Sequence, residues 1–297
     1  MDKREYINKN MPPPLAQYPP LIINVCLTGM IPTKDMTEFV PITPEEIAED
    51  AIKCCDAGAS IVHLHAKEPN TGKPHPDPNP VLGAYVEQIQ KKTDLICNVT
   101  TGGGRRATAE ALDKMIEQRC KLGQEMMSMN VGTINLWTPP YEGVFMNDVP
   151  RIKRWAGYMR DHGIKPELEV YDTGMINTAK LLSGMDVFEQ PIHLQFVMIG
   201  KTGFSPTPKT LVYCVEELEP EWTWSVCSLG RTELPMCALA MTMGGHTRVG
   251  MEDNIYLKRG ELLKSNSQLV ERIVTIAEAL NIEVASPDES RKILGLK

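Results

Sequence analysis

Ser60-Ile61-Val62-His63-Leu64-His65-Ala66 reads as a short strand with apolar residues on both faces and two histidines sharing one of them. Such a strand is covered on both sides, as in a parallel sheet layered by helices. Its flanks agree. Upstream, Thr43-Pro44-Glu45-Glu46 starts a helix, with a threonine cap, proline at the first helical position and a glutamate three residues after the cap to close a capping box; Gly58 ends it. Downstream, a helical pattern over 80–92 leads to another apolar strand over 95–101.

The same alternation continues along the chain. Strands are expected at 21–28, 60–66, 95–101, 125–131, 167–172, 193–199, 223–229 and 247–252. Helical patterns fall at 80–92, 108–122, 150–161, 177–183, 207–218 and 233–243, with a last one near 267–280. About eight βα units make an α/β fold of the (β/α)8 TIM-barrel type. The rival is a doubly wound open sheet. Against it, Thr28-Gly29-Met30-Ile31-Pro32 lacks the glycine spacing of a dinucleotide fingerprint, and polar residues recur at the ends of many strands, which only a barrel gathers in one place. The expected organisation is a proline-rich arm over 1–20, then one catalytic barrel over 21–297 with a C-terminal helical extension.

With 297 residues and 42% hydrophobic content, the chain can bury a full core. A net charge of -7 argues against a nucleic-acid partner, which needs clustered Lys and Arg. No run of eighteen apolar residues suggests a membrane span, and the polar, then proline-rich start lacks a secretory pattern, so a cytoplasmic protein is expected. The eight cysteines form no CxxC pair and lie mostly in apolar runs, as buried thiols do; the seventeen methionines read as core packing.

Several strand ends carry chemistry. His63 and His65 point the same way and can converge on one ion, zinc being suited to paired imidazoles, although core histidines also satisfy themselves by hydrogen bonding. In His246-Thr247-Arg248-Val249-Gly250-Met251-Glu252-Asp253, alternation puts Arg248, Gly250 and Glu252 on one face. Glu252 would complete a His2Glu set with a position open to substrate; the plainer reading is an ion pair of Arg248 with Glu252 or Asp253. The turn Thr100-Thr101-Gly102-Gly103-Gly104-Arg105-Arg106 offers a backbone nest for an anion or a simple tight turn. Glu167 and Glu169 share a strand face, costly inside a barrel unless a cation meets them, and Glu169 lies nearer the carboxyl end. Ser128 and Asn130 break an otherwise methionine-rich strand.

Taken together, Val62-His63-Leu64-His65, Thr100-Thr101-Gly102-Gly103, Pro166-Glu167-Leu168-Glu169-Val170 and Gly244 to Asn254 resemble the β-keto acid cleavage enzymes, from about Leu21 to the C-terminus. The resemblance implies a zinc-bearing TIM barrel, a homo-oligomer with a tetramer favoured. It implies a reaction of a small β-keto acid with acetyl-CoA as co-substrate, giving acetoacetate and a new acyl-CoA without a redox cofactor. By the same resemblance His63, His65 and Glu252 hold zinc, Arg248 and Asp253 form a catalytic dyad, Thr100 and Ser128 contact substrate, and either Glu167 or Glu169 is catalytic. Thr101, Gly102, Gly103 and Asn130 join the expected substrate surface.

The chain departs from the family's best-known member where Ile31 stands at the position of an acid facing a substrate amine, Ser128 at a threonine and Asn130 at an aspartate. Without that acid an ammonium has no partner, so a neutral or acidic acyl tail is expected. Two other functions fit the residues less fully: a zinc aldolase or hydrolase needing no CoA, and a non-catalytic binding protein whose histidines are core.

Overall fold

The computed structural model describes residues 18–103, 108–137 and 142–296. Residues 1–17 of the expected arm, and Gly104, Arg105 and Arg106 of the glycine turn, lie outside the described residues. Eight parallel strands close a barrel: β1 (Ile23–Cys26), β2 (Ile61–Leu64), β3 (Ile96–Thr100), β4 (Met126–Asn130), β5 (Lys165–Val170), β6 (His193–Met198), β7 (Thr223–Ser228) and β8 (His246–Val249). Each strand pairs with the next, and β8 returns to β1 with Arg248 opposite Asn24. The helices are α1 (Pro44–Asp56), α2 (Pro78–Gln90), α3 (Ala109–Arg119), α4 (Val149–Asp161), α5 (Thr173–Ser183), α6 (Pro208–Glu216), α7 (Glu233–Thr242), α8 (Ser267–Ala279) and α9 (Pro287–Leu294). This is the (β/α)8 TIM barrel that the alternation predicts. Among the described residues no helix is long and apolar enough to cross a membrane.

Alternation along each strand divides the core. Val25, Val62, Val99, Met127, Leu168, Leu194, Val226 and Val249 belong to the large buried cluster that includes the helices' inner faces. Each such side chain removed from water contributes about 1.5–3 kcal/mol against the entropy of ordering the chain. The amino end of the barrel is plugged by a separate small cluster of Ile22, Ile61, Ile96 and Met126 with Ala285 and Leu294. The carboxyl ends are left for polar chemistry.

Local signals explain most boundaries. The Thr43 hydroxyl accepts from the Glu46 amide at 3.2 Å and the Glu46 carboxylate accepts from the Thr43 amide at 3.1 Å, closing the expected box. The same device starts α9 through Ser286 and Glu289, and Gly295 ends it in the left-handed region. Two boundaries move. The strand expected at 167–172 runs Lys165–Val170, because Asp172 leaves it to cap α5, accepting from the Met175 amide at 3.0 Å; α5 therefore begins four residues earlier than expected. The strand expected at 247–252 stops at Val249, so Gly250 and Glu252 lie in a turn rather than in β8. Two small antiparallel hairpins also escape the βα alternation, Ile134–Leu136 with Gly143–Phe145 and Tyr256–Lys258 with Glu261–Leu262.

Gly250 is the reason β8 ends where it does. Its φ is +149°, and a Cβ there would sit 2.1 Å from the Cys26 carbonyl oxygen. The turn it permits lets the Glu252 amide donate to that same carbonyl at 3.2 Å. Gly250→Ala is expected to cost about 3 kcal/mol or more, since both backbone conformation and space are lost, and to lower Tm by several degrees in a thermal melt. An unchanged Tm would mean the turn relaxes freely.

Candidate active site

Three side chains converge at the open end of the barrel. His63 is the third residue of β2 and His65 follows its end, so alternation turns both rings inward, with centroids 5.0 Å apart. Glu252 comes from the Gly250 turn. Its Oε1 lies 3.3 Å from His65 Nε2 and its Oε2 3.9 Å from His63 Nε2. Gly29, at φ +58°, makes the room: a Cβ there would meet Glu252 Cγ at 2.2 Å.

The donor set fits a zinc ion. Ligand atoms about 2.1 Å from zinc and tetrahedrally disposed lie about 3.4 Å from one another, close to the separations here. One donor atom from each of the three residues lies within 4.8 Å of the other two. Glu252 Oε2 is buried without a hydrogen-bond partner, which is costly unless something else meets it. Burial holds the His63 imidazole well below its usual pKa, in the neutral form that ligates. Burial opposes charge on Glu252, but Arg248 and the two imidazoles together hold its carboxyl well below the usual range.

Arg248 is the hub of the carboxylates. Its Nε and Nη2 donate to Asp253 Oδ2 and Oδ1 at 2.8 and 3.1 Å, a two-point grip. Nη2 also lies 2.8 Å from Glu252 Oε1, and Nη1 lies 3.8 Å from Glu169 Oε1. Asp253 Oδ2 further accepts from the Cys26 and Cys227 thiols at 3.0 and 3.4 Å, both held protonated by burial and by the Asp253 charge. Glu233 anchors the turn from behind, accepting from the Gly250 amide at 3.0 Å and the Asn254 side chain at 2.9 Å.

The two glutamates of β5 sit at different depths. Glu169 lines the cavity and accepts from the Tyr171 hydroxyl at 3.2 Å; burial, only partly offset by Arg248, pushes its pKa up to about 7. Glu167 lies one layer below. It accepts from Asn98 at 2.7 Å, Gln195 at 3.1 Å and Asn24 at 3.2 Å, and is fully buried. Gln195 joins the layers, since its Oε1 accepts from Arg248 Nη1 at 3.3 Å.

A cavity of about 490 Å³ connects these groups. His65, Glu252, Arg248, Asp253 and Glu169 form its polar wall, with Thr100, Ser128 and Asn130 beside them. Asn130 Nδ2 is buried and has no partner among the described residues. Two amides of the glycine turn follow the tight-turn alternative. The Thr101 amide donates to Ser128 O at 3.2 Å and the Gly102 amide to Thr100 Oγ1 at 2.9 Å, so neither is free for a ligand; the Thr100 hydroxyl keeps its proton to donate. Arg119 holds the turn, its Nη1 donating to the Thr100 and Gly102 carbonyls at 2.6 and 2.9 Å. Ile31 lines the cavity on a loop fixed by buried Lys67, whose Nζ donates to Pro32 O at 2.7 Å and Met30 O at 3.0 Å; burial pulls that amine down to about 8.

Arg119, Lys67, Gln195, Glu233 and the two thiols are the site residues that sequence reasoning missed. Nothing in the local pattern marks Arg119, Lys67, Gln195 or Glu233, because a charged or amide side chain is exposed by default and each is buried here by what it holds from a distant segment, while the thiols read as buried from their apolar runs but only the fold brings them to Asp253.

A family model described as beta-keto acid cleavage enzyme matches residues 20–296. A 3-keto-5-aminohexanoate cleavage enzyme from Fusobacterium nucleatum subsp. nucleatum is 39% identical over 278 residues, 93% of this chain and 98% of that relative. A 3-oxoadipate:acetyl-CoA acetyltransferase from Cupriavidus necator is 32% identical over 282 residues, 93% of this chain and 95% of that relative. Among solved structures, the apo structure of ObcA aligns with a TM-score of 0.73 at 17% identity over 87% of this chain, which spans 66% of that protein; this likeness bears on the fold alone. The family match runs through every strand of the barrel and both segments that supply the histidines and Glu252, and the chain therefore belongs to the beta-keto acid cleavage enzyme family and is an enzyme.

Proposed function

We propose that the protein is a zinc-dependent enzyme that condenses a β-keto acid with acetyl-CoA, releasing acetoacetate and the acyl-CoA of the original tail. The observation that carries this reading is the His63–His65–Glu252 cluster lying against the Arg248–Asp253 pair at one open cavity. The acetyl-CoA half is supported by the Cupriavidus relative's name. His63, His65 and Glu252 would hold the ion, which when bound supplies Lewis acidity toward oxygen and leaves a position for substrate.

The chain's own residues do the proton work. Asp253, oriented by Arg248, removes a proton from the carbon between ketone and carboxylate. That carbon attacks the acetyl-CoA thioester and the CoA thiolate leaves. The thiolate then attacks the original ketone, the bond between that carbonyl and the central carbon breaks, and Asp253 returns its proton to the departing acetoacetate carbon. Thr100, Ser128 and Asn130 supply hydrogen bonds to substrate oxygens, the Asn130 amide being otherwise unpaired. Of the two glutamates, Glu169 serves the reaction, since a group titrating near 7 can hold or release a proton under working conditions, while Glu167 braces the layer beneath.

The substrate tail differs from that of the Fusobacterium relative. Ile31 gives an ammonium nothing to pair with on that wall, so amino-bearing tails are poor substrates. The test is a panel of β-keto acids incubated with acetyl-CoA, with acyl-CoA products identified by mass spectrometry. Acyl-CoA formation that requires acetyl-CoA supports the reading. Turnover without acetyl-CoA would make the protein an aldolase or hydrolase instead, and 3-keto-5-aminohexanoate emerging with the highest kcat/KM would overturn the assignment of the tail.

A further inference from the structure

The wall of the cavity that carries no catalytic carboxylate is apolar, formed by Ile134, Leu136, Val144, Phe145 and Trp155, with one cation among them. That cation is Arg151, in the first turn of α4 and only 8% exposed. Its Nη1 donates to the Met146 carbonyl, while its Nε is buried with no hydrogen-bond partner among the described residues. The nearby acids are committed elsewhere. Asp148 caps α4 by accepting from the Arg151 amide at 2.9 Å, and Asp113 accepts from Arg154 Nε and Trp155 Nε1 at 2.9 and 2.7 Å. Glu252 and Asp253 are paired with Arg248, and Glu169 faces it. Arg151 forms no ion pair among the described residues.

A guanidinium in such a place is held ready rather than left over. Its carbon stands 5.5 Å from the centroid of the Trp155 ring, and Trp155 is itself pinned by Asp113. Rotamer freedom is thus spent before any ligand arrives, and burial without a counter-charge makes an incoming anion the partner that relieves the cost. The apolar side chains that line the same cavity as Arg151 and Arg248 suit a methylene chain.

We propose that Arg151 receives a second carboxylate at the far end of the keto acid, so that 3-oxo dicarboxylates are the preferred substrate class. The proposal rests on the reaction assigned above and adds the identity of the tail. A CoA phosphate is the other anion a guanidinium would take. It is the less suitable occupant, because a long pantetheine arm separates it from the thioester, whereas Arg151 and Arg248 line one cavity.

The experiment compares 3-oxohexanedioate with its 6-methyl ester, using acetyl-CoA and protein carrying its metal. Wild type is expected to favour the diacid by roughly 10- to 100-fold in kcat/KM, mostly through KM. Arg151→Met should collapse that ratio to near one, and Arg151→Lys should restore part of it, a pattern that general damage to the fold does not produce. The same pair of ligands is titrated calorimetrically against wild type and both variants. Equal use of diacid and ester by wild type overturns the proposal, as does a change in Arg151→Met confined to the KM of acetyl-CoA, which would give the guanidinium to a CoA phosphate. If no keto acid is turned over at all, the assigned reaction is wrong. The calorimetric arm then decides Arg151 by itself, with tighter binding of the diacid supporting the proposal and equal affinity overturning it.

Discussion

His63→Ala should yield a protein that purifies without the proposed zinc and has lost at least roughly a thousandfold in kcat/KM. The imidazole is 1% exposed and comes from inside β2, so no neighbouring side chain can swing into its place. With it gone, His65 and Glu252 remain as two donors, and Glu252 Oε1 lies only 2.8 Å from Arg248, a competitor that a full donor set would otherwise balance. Two ligands hold zinc far more weakly than three. The measurement is metal content of protein prepared without chelator, alongside kinetics and a thermal melt. His65→Ala serves as a second variant should the void left by His63 unsettle the fold. A His63→Ala protein with full zinc and full activity would remove the central assignment.

Asp253→Asn is expected to keep the proposed zinc and to lose roughly a hundred- to ten-thousandfold in kcat, with a smaller effect on KM. Asparagine has the same shape and can still accept from Arg248 through its oxygen, but its nitrogen meets the remaining guanidinium N–H as donor against donor. It also cannot take a proton. Reading kcat and KM separately distinguishes loss of the base from loss of binding, and metal analysis distinguishes both from loss of the ion. If kcat fell less than tenfold, Asp253 would not be the base, and Glu169, with its pKa raised to about 7 on the same cavity, would be the carboxylate to test next.

Much of the fold was legible because its signals are local. A capping box needs only the spacing from Thr43 to Glu46, and strand and helix periods emerge within a single turn or pleat. The identical signal from Ser286 to Glu289 starts α9, a helix that lies within the expected C-terminal extension but is not among the helical patterns read from the sequence. Asp172 illustrates the limit of such reading. An aspartate at a strand end can continue the strand or cap the next helix, and the choice depends on how the chain must turn to pack α5 on the barrel.

At the site, side-chain period told which face His63, His65, Glu167 and Glu169 share, and nothing more. Two residues apart on one strand means the same face at different depths along the barrel, so Glu167 meets amides from three other strands while Glu169 meets solvent space and Arg248. Depth depends on strand stagger, which is a property of the closed sheet.

The residues alone thus specified a parallel barrel, an inward histidine pair and the family to which the chain belongs, because each rests on periodicity or on contiguous motifs. Closure of the sheet decided the rest: that Glu252 reaches the histidines from a turn made possible by Gly250 and Gly29, that Arg248 gathers the carboxylates of β5 and of its own turn, and that Arg151, with no ion pair among the described residues, lines the same cavity. Those are distances between segments far apart in the chain, and the pairing of β8 with β1 is what brings the Glu252 turn beside Cys26 and Gly29.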